Sequence, residues 1–166
     1  HIEELLISPL PSWVILAGYV TGALVRGLMV GAVVIGVSLF FTRLEIQNLW
    51  ITVSVLFLTS IVFAMAGMIN AIFAQKFDDI AIIPTFVLTP LTYLGGVFYS
   101  INLLPEFWQG VSAFNPILYM VNGFRFGILG ISDVPLGRAY LIIGVFVVVL
   151  TSICMMLLKR GTGLRT

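Results

Sequence analysis

One charged residue, Arg26, lies inside an apolar stretch of the sequence that is long enough to cross a membrane. A charge at membrane depth costs about 2.5 kcal/mol or more on insertion scales, so this side chain needs a partner, a water-filled path or a lipid headgroup. Two hypotheses follow. Arg26 lines or gates a polar pathway, or it reaches a headgroup or a structural partner and has no part in transport.

A second candidate is a polar stripe in a later apolar stretch. Its members Thr85, Thr89, Thr92, Gly96 and Tyr99 follow one another at steps of four, three, four and three residues. Such steps place side chains on one face of a helix. The hydroxyls either face a translocation path or a partner subunit, or they satisfy carbonyls freed by kinks at Pro84 and Pro90. Together with the neighbouring Tyr93 and with Arg26, the threonines and Tyr99 are the candidate path residues.

Residues for catalysis or metal binding are missing from these stretches. The sequence has no phosphate-binding glycine loop, no HExxH motif and no Ser/His/Asp set. It has one cysteine, Cys154 in an apolar run, and one histidine, His1. We therefore expect no enzyme activity, no metal and no cofactor in this chain. The net charge of +1 gives no case for nucleic-acid binding.

The elements that must position these residues are membrane helices. Hydrophobic residues make up 60% of the sequence and charged residues 9%, far from the roughly one quarter charged residues of a soluble domain. Four windows have the length of a spanning helix, at 13–41, 49–73, 80–98 and 140–158. The sequence therefore predicts a single all-α integral membrane domain, a bundle of four transmembrane helices.

Four spans place both chain ends on one side of the membrane. Basic residues divide into Lys76, Lys159, Arg160 and Arg165 on that side and Arg43, Arg125 and Arg138 on the other. Positive charge favours the cytoplasm, and the Lys159–Arg160 pair adjoins the last span directly. We therefore expect both ends of this chain to be cytoplasmic.

Two shorter segments complete the predicted fold. Residues 1–10 predict an amphipathic surface helix that ends at Ser8-Pro9, either a docking element for a soluble partner or an ordinary interfacial turn. Residues 100–132 are aromatic and interrupted, and they predict two short helices that enter the membrane and return. Leu104-Pro105-Glu106 and Asn115-Pro116 are typical helix starts, and Gly130 is a typical helix end.

Glycine spacing predicts close packing of the first span. Gly18 and Gly22 are four residues apart, and so are Gly27 and Gly31. Small residues at this spacing let two helix backbones approach closely. At about 100° per residue the two pairs point to nearly opposite faces, so the helix is expected to be packed on both sides. Asn70, near the end of the second span, is expected to bond to another helix.

Three blocks of sequence resemble the membrane subunit of bacterial ABC-2 type transporters, close to the inner-membrane transport permeases of that family. The blocks are residues 2–9 followed by Gly18, residues 77–99 with their Pro84-Thr85 and Thr89-Pro90 pairs, and Leu104-Pro105 through Asn115-Pro116 to Gly123-Phe124-Arg125. The resemblance covers essentially the whole chain. It implies a six-span subunit of which two earlier spans lie outside this sequence, so we expect the sequence to be N-terminally incomplete.

The resemblance also implies a mechanism and partners. The segment 1–10 would be the coupling helix that contacts a separate cytoplasmic ATPase through Ile2, Glu3, Glu4, Leu5, Leu6, Ser8 and Pro9. The segment 100–132 would be the outward re-entrant pair. Two permeases would pair in the bacterial inner membrane, with ATP bound on the partner subunits, and export an amphiphile, drug or glycan.

Two alternatives of other classes remain. A non-transporting membrane scaffold or assembly protein is opposed only by Arg26 and the threonine stripe. A secondary transporter is disfavoured because the acidic residues all lie outside the four predicted spans, so that none can carry an ion relay. These residues are Glu3, Glu4, Glu45, Asp78, Asp79, Glu106 and Asp133.

Overall fold

The computed structural model describes Glu4 and residues 7–160. Within this part every regular element is helical. The α-helices are α1 (Ser12–Phe41), α2 (Leu49–Phe73), α3 (Phe77–Ile83), α4 (Thr89–Tyr93), α5 (Glu106–Ser112), α6 (Pro116–Leu129) and α7 (Leu136–Lys159). A π-helical turn, Pro84–Leu88, joins α3 to α4, and a 3₁₀ turn, Ile101–Leu103, precedes α5.

Three helices of the described chain, α1, α2 and α7, are long and apolar enough to cross a membrane. Their most apolar windows have mean hydropathies of 2.2, 2.2 and 2.9. The sequence predicted all three, although α7 begins four residues earlier than expected, directly after Pro135. Two of them start at residues suited to a helix N-terminus: Pro11 precedes α1, and the Asn48 side chain accepts a hydrogen bond from the Ile51 amide, 3.3 Å away, at the start of α2.

The predicted third span, 80–98, differs from a regular spanning helix. Helix α3, the π turn and α4 follow one another without a gap from residue 77 to residue 93, and we call this stretch the kinked segment. Proline at position 90 has no amide to donate to Phe86, and its ring would clash with that carbonyl in a regular helix. The π turn lies directly before Pro90, and there the Thr89 amide bonds to the Pro84 carbonyl, five residues back.

The interrupted stretch 100–132 forms the two short helices that the sequence predicted. Helix α5 begins after Pro105, and α6 begins after Asn115, whose side chain accepts a hydrogen bond from the Ile117 amide at 3.0 Å. Gly130 ends α6 with a φ of 75°, in the left-handed region that favours glycine. The helix boundaries are therefore confirmed, while their depth in a membrane stays a prediction.

Helices α2, α6 and α7 form the core of the bundle. Glycines bring α6 close to α2, because a Cβ at Gly123 would lie 2.9 Å from the Val55 side chain and one at Gly127 would lie 3.1 Å from the Thr52 Cα. Ile143 of α7 is fully buried in the same core. A side-chain hydrogen bond between Ser54 and Tyr140 joins α2 to α7.

The two ends of the bundle can be told apart by their contacts. At one end, Ile15 and Leu16 at the start of α1 pack with Ile72 near the end of α2 and Leu158 near the end of α7. At the other end, the loop before α2 bonds to the end of α6, where the Asn48 amide lies 2.8 Å from the Gly127 carbonyl. The start of α1 and the end of α7 therefore lie at the same end of the bundle.

Candidate functional site

The kinked segment carries most of the predicted path residues on an exposed surface. Thr85 and Thr89 are exposed, and Thr92 is half-buried. Tyr93 keeps 58% of its surface exposed. All residues from 80 to 87 are exposed, so this part of the segment has little packing against the rest of the described chain. The threonines therefore lie where a path or a partner subunit can reach them.

Two of the threonine hydroxyls bond to the kinked backbone. The Thr89 hydroxyl lies 3.3 Å from the Pro84 carbonyl, and the Thr92 hydroxyl donates to the Leu88 carbonyl at 2.8 Å. This is the structural role expected for threonine at a proline kink. It leaves each hydroxyl oxygen able to accept a further hydrogen bond, so the two hypotheses for the threonines are compatible.

The predicted stripe is wrong for its last two members. The helix ends at Tyr93, and Gly96 has a φ of 75°, so the chain leaves the helical path before it reaches Tyr99. Only the Gly95-Gly96 pair indicates this helix end in the sequence, because the steps of three and four residues continue through it. Tyr99 instead folds back, and its hydroxyl donates to the carbonyl of Tyr93. These two candidate residues are thus brought together by a turn.

Arg26 lies away from the kinked segment. It is exposed and stands at the edge of an open groove of about 650 Å³. All the residues that line the groove lie between Leu10 and Arg26, and they include Gly18 and Gly22. No ion pair to Arg26 is present among the described residues. The structure therefore does not join Arg26 and the threonines into one site within this chain.

The two glycine pairs of α1 have different surroundings, and the predicted close packing is present at only one of them in the described chain. A Cβ at Gly27 would lie 2.9 Å from the Ser60 hydroxyl of α2, and one at Gly31 would lie 3.7 Å from Leu56 of the same helix. A Cβ at Gly18 or Gly22 would meet nothing within 4 Å. One face of α1 is thus packed on α2, and the other is open in the described chain.

A polar cluster that the sequence did not predict lies at the end of the bundle away from Leu158. The guanidinium of Arg125 lies 3.3 Å from the carboxylate of Asp133 and donates to the carbonyl of Gly96 at 2.6 Å. The same carboxylate accepts a hydrogen bond from the Ile101 amide at 3.1 Å. We call the set of Gly96, Ile101, Asn122, Arg125 and Asp133 the polar corner.

Asn122 extends the polar corner into the core. It is fully buried, and its side-chain oxygen accepts a hydrogen bond from the Asp133 amide at 2.9 Å while its amide donates to the Leu118 carbonyl at 2.8 Å. Asn115 makes a parallel link, since its side chain donates to the Leu91 carbonyl at the end of the kinked segment, at 2.6 Å. The polar corner and Asn115 together fix the exit of the kinked segment to α6.

The other end of the kinked segment is bonded to α2 and to the loop before α3. The side chain of Asn70 donates to the Ile80 carbonyl at 2.9 Å, which confirms the predicted bond to another helix. The carboxylate of Asp79 accepts from the amides of Gln75 and Lys76, at 3.0 and 2.9 Å. The π turn and the exposed residues 80–87 lie between these two attachments.

The predicted ATPase-coupling residues are described only in part. Ile2, Glu3, Leu5 and Leu6 lie outside the described residues. Glu4 is exposed, and the Ser8 hydroxyl accepts a hydrogen bond from the Leu10 amide at 3.2 Å, just before α1 begins. The chain bends at Ser8-Pro9, where the helix was predicted to end, and the coupling role stays a prediction.

No catalytic constellation accompanies these features in the described chain. The described residues hold no group of three or more His, Cys, Asp or Glu side chains that could bind a metal ion. Cys154 is buried, and its sulfur lies 3.5 Å from the Met65 carbonyl. The arrangement offers exposed hydroxyls on a kinked segment, one cation in an open groove and a rigid polar corner.

Comparison with known proteins gives one family and several relatives. The model of the ABC-2 type transporter family matches residues 1–129. The inner membrane transport permease YadH of Escherichia coli (strain K12) is 54% identical over 167 residues, covering 100% of this chain and 65% of that protein. Nodulation protein J of Rhizobium meliloti (strain 1021) is 30% identical over 122 residues, covering 74% of this chain and 45% of that protein. No solved structure matches the chain.

Proposed function

The chain belongs to the ABC-2 type transporter family, and from this membership we propose that it forms the membrane permease part of an ATP-driven exporter. The ATPase is a separate cytoplasmic chain, and the permease works as a pair in the bacterial inner membrane. The match to the family model carries the proposal, because it includes α1, α2, the kinked segment and α6. The chain spans 65% of the length of the YadH relative, and the proposed activities are those of the whole protein.

In this proposal the chain crosses the inner membrane four times, with the kinked segment as its third span and residues 100–132 as an outward re-entrant pair. The start of α1 and the end of α7 face the cytoplasm. Lys76, Lys159 and Arg160 then lie on the cytoplasmic side, in keeping with the preference of positive charge for that side. The polar corner lies on the outer side.

The path in this proposal follows the kinked segment and is completed by the second copy. Thr85, Thr89, Thr92, Tyr93 and Tyr99 provide its polar surface. The segment is anchored at both ends and exposed in the middle, so its π turn is the part that can move when ATP closes the partner subunits. Arg26, beside the open groove on α1, lines or gates a polar pathway during the same ATP cycle.

The composition of the described long helices supports ATP as the energy source. Helices α1, α2 and α7 contain no Asp or Glu. A proton or sodium relay through a bundle needs acidic or other titratable groups at membrane depth, so an ion-driven transporter is disfavoured. A scaffold needs neither a polar path nor an ATPase, and only a functional experiment separates it from an exporter.

The test is the behaviour of the full-length permease with its candidate ATPase. We expect the two chains to purify together, and we expect ATP hydrolysis in proteoliposomes to rise when the permease is present. Glu3→Ala with Leu5→Ala is expected to weaken ATPase binding, whereas Ser12→Ala, at the start of α1, leaves it unchanged. Stable pairing without any effect on hydrolysis would favour the scaffold, and intact binding in the double variant would show that the coupling helix is assigned wrongly.

A further inference from the structure

An apolar cleft of about 280 Å³ separates the kinked segment from the rest of the bundle. Its walls come from α2, α6 and α7 on one side and from the π turn and α4 on the other. Ile83 and Val87 face it with 47% and 46% of their surfaces exposed. The π turn provides Pro84, Val87 and Leu88 to the wall of the cleft that the kinked segment forms.

The cleft is chemically unsuited to water. Among the described residues that line it, Asn70 is the only one with a polar side chain, and its amide already donates to Ile80. A volume of 280 Å³ equals that of roughly nine water molecules, each of which needs two to four polar partners. The described walls cannot provide these partners. An apolar occupant therefore suits the cleft better than water does.

A polar mouth adjoins one end of the cleft. A second cavity of about 440 Å³ shares Ala66, Asn70 and Ile83 with it and opens at Gln75 and Asp79, in the loop between α2 and α3. Asp79 brings a carboxylate to this mouth, and the nearest exposed charged side chains in sequence, Lys76 and Asp78, carry opposite charges. The recess thus has an apolar slot and a mouth with one positive and two negative charges, which can meet the phosphate and the ammonium of a zwitterionic lipid and disfavours an anionic headgroup.

We propose that this cleft binds one acyl chain of a zwitterionic bilayer phospholipid, with the headgroup at the mouth beside Lys76 and Asp78. The chain fills the space behind the π turn and supports the kinked segment from within the bundle. This site is separate from the exported substrate, and it does not depend on the proposed export activity, because it needs only that the helices lie in a membrane.

Glycine at position 67 offers a way to close the cleft without disturbing the fold. Gly67 lines the cleft, and a Cβ added there would meet nothing within 4 Å. Gly67→Leu therefore puts a side chain into the space of the lipid. Gly144 of α7 is a matched control, since its Cβ would also meet nothing within 4 Å and it does not line the cleft.

The experiment uses the full-length protein in nanodiscs that contain a phosphatidylethanolamine with a photoreactive diazirine on its acyl chain. After illumination, peptide mass spectrometry maps the labelled residues. We expect labelling at cleft residues such as Val87, Met120 and Phe146 to fall about fivefold in Gly67→Leu and to stay unchanged in Gly144→Leu. A phosphatidylglycerol with the same acyl probe is expected to label these residues less than phosphatidylethanolamine does.

Three results would overturn the proposal. Equal labelling of the cleft in Gly67→Leu and the parent protein would show ordinary contact with surrounding lipid. Absence of labelling would show that a second copy or another part of the full-length protein fills the cleft. Equal labelling by the two lipids would show that the charged mouth does not select the lipid headgroup. Gly67→Ala is expected to lose a smaller part of the labelling, because alanine fills less of the cleft. The thermal midpoint of each variant shows whether a loss of labelling arises from misfolding.

Discussion

The polar corner and the kinked segment are adjacent in the chain and opposite in character. At the corner, Arg125, Asp133 and Asn122 bond to each other or to backbone groups, and residues 117–120 of α6 are all buried. In the kinked segment, residues 80–87 are all exposed, and an apolar cleft lies behind them. The difference indicates that one region is fixed and the other is free to change shape, because local opening is easiest where few groups are buried.

Breaking the polar corner is expected to have the largest effect. Arg125→Ala leaves the carboxylate of Asp133 without its cation and the Gly96 carbonyl without its donor. We expect a loss of about 3 kcal/mol in the free energy of unfolding, since a partly buried charge loses its partner. Unfolding of the purified protein in mixed SDS micelles measures this value. Arg138→Ala is the control, because Arg138 is exposed, and an equal effect of the two substitutions would contradict the role of the corner.

Overpacking the contact between α6 and α2 is expected to have the next largest effect. In Gly127→Ala the new methyl group meets the backbone of Thr52, which cannot turn aside as a side chain can. We expect a loss of about 2 kcal/mol in the same unfolding measurement. Gly144→Ala should change the value little, because open space surrounds that position. If Gly127→Ala is as stable as Gly144→Ala, the close approach of the two helices is wrong.

Removing hydroxyls from the kinked segment is expected to have the smallest effect on stability. Thr89→Val and Thr92→Val each remove one bond from a hydroxyl to a carbonyl of the same segment, and such bonds stabilise helices little. We expect changes within about 0.5 kcal/mol. The same variants tested in proteoliposomes measure the path hypothesis separately. A large loss of stability would show that the threonine hydroxyls hold the fold together, as the polar corner does, and would contradict their role in a path.

The sequence was sufficient to predict the long helices and the bounds of α6. It was insufficient to predict the contacts between helices. Apolar length predicted α1, α2 and α7, and Asn115-Pro116 and Gly130 predicted the bounds of α6, since these are local properties of the chain. The pairing of Arg125 with Asp133 was missed, because the chain turns at Gly130 between them and helical spacing no longer applies. The end of the kinked segment at Tyr93 was missed because the chain turns at Gly96, so that helical spacing does not continue to Tyr99.

The candidate site shows the same division. The threonines could be selected by their spacing within one segment, but their packing could not, because it depends on how the segment is attached to α2 and to Asn115 before α6. The different surroundings of Gly18 and Gly27 agree with the opposite faces expected from helix geometry, whereas packing of α1 on both faces stays a prediction.

The measurement that tests the central claim most directly is the water accessibility of the kinked segment during the ATP cycle. The protein is the full-length permease with its ATPase, in a Cys154→Ala background, with a cysteine introduced at Thr89. We expect its reaction rate with a water-soluble maleimide to differ about tenfold between the nucleotide-free and vanadate-trapped states. Leu129→Cys, at the exposed end of α6, should react at one rate in both states. Equal rates at position 89 in the two states would contradict a kinked segment that moves with the ATP cycle.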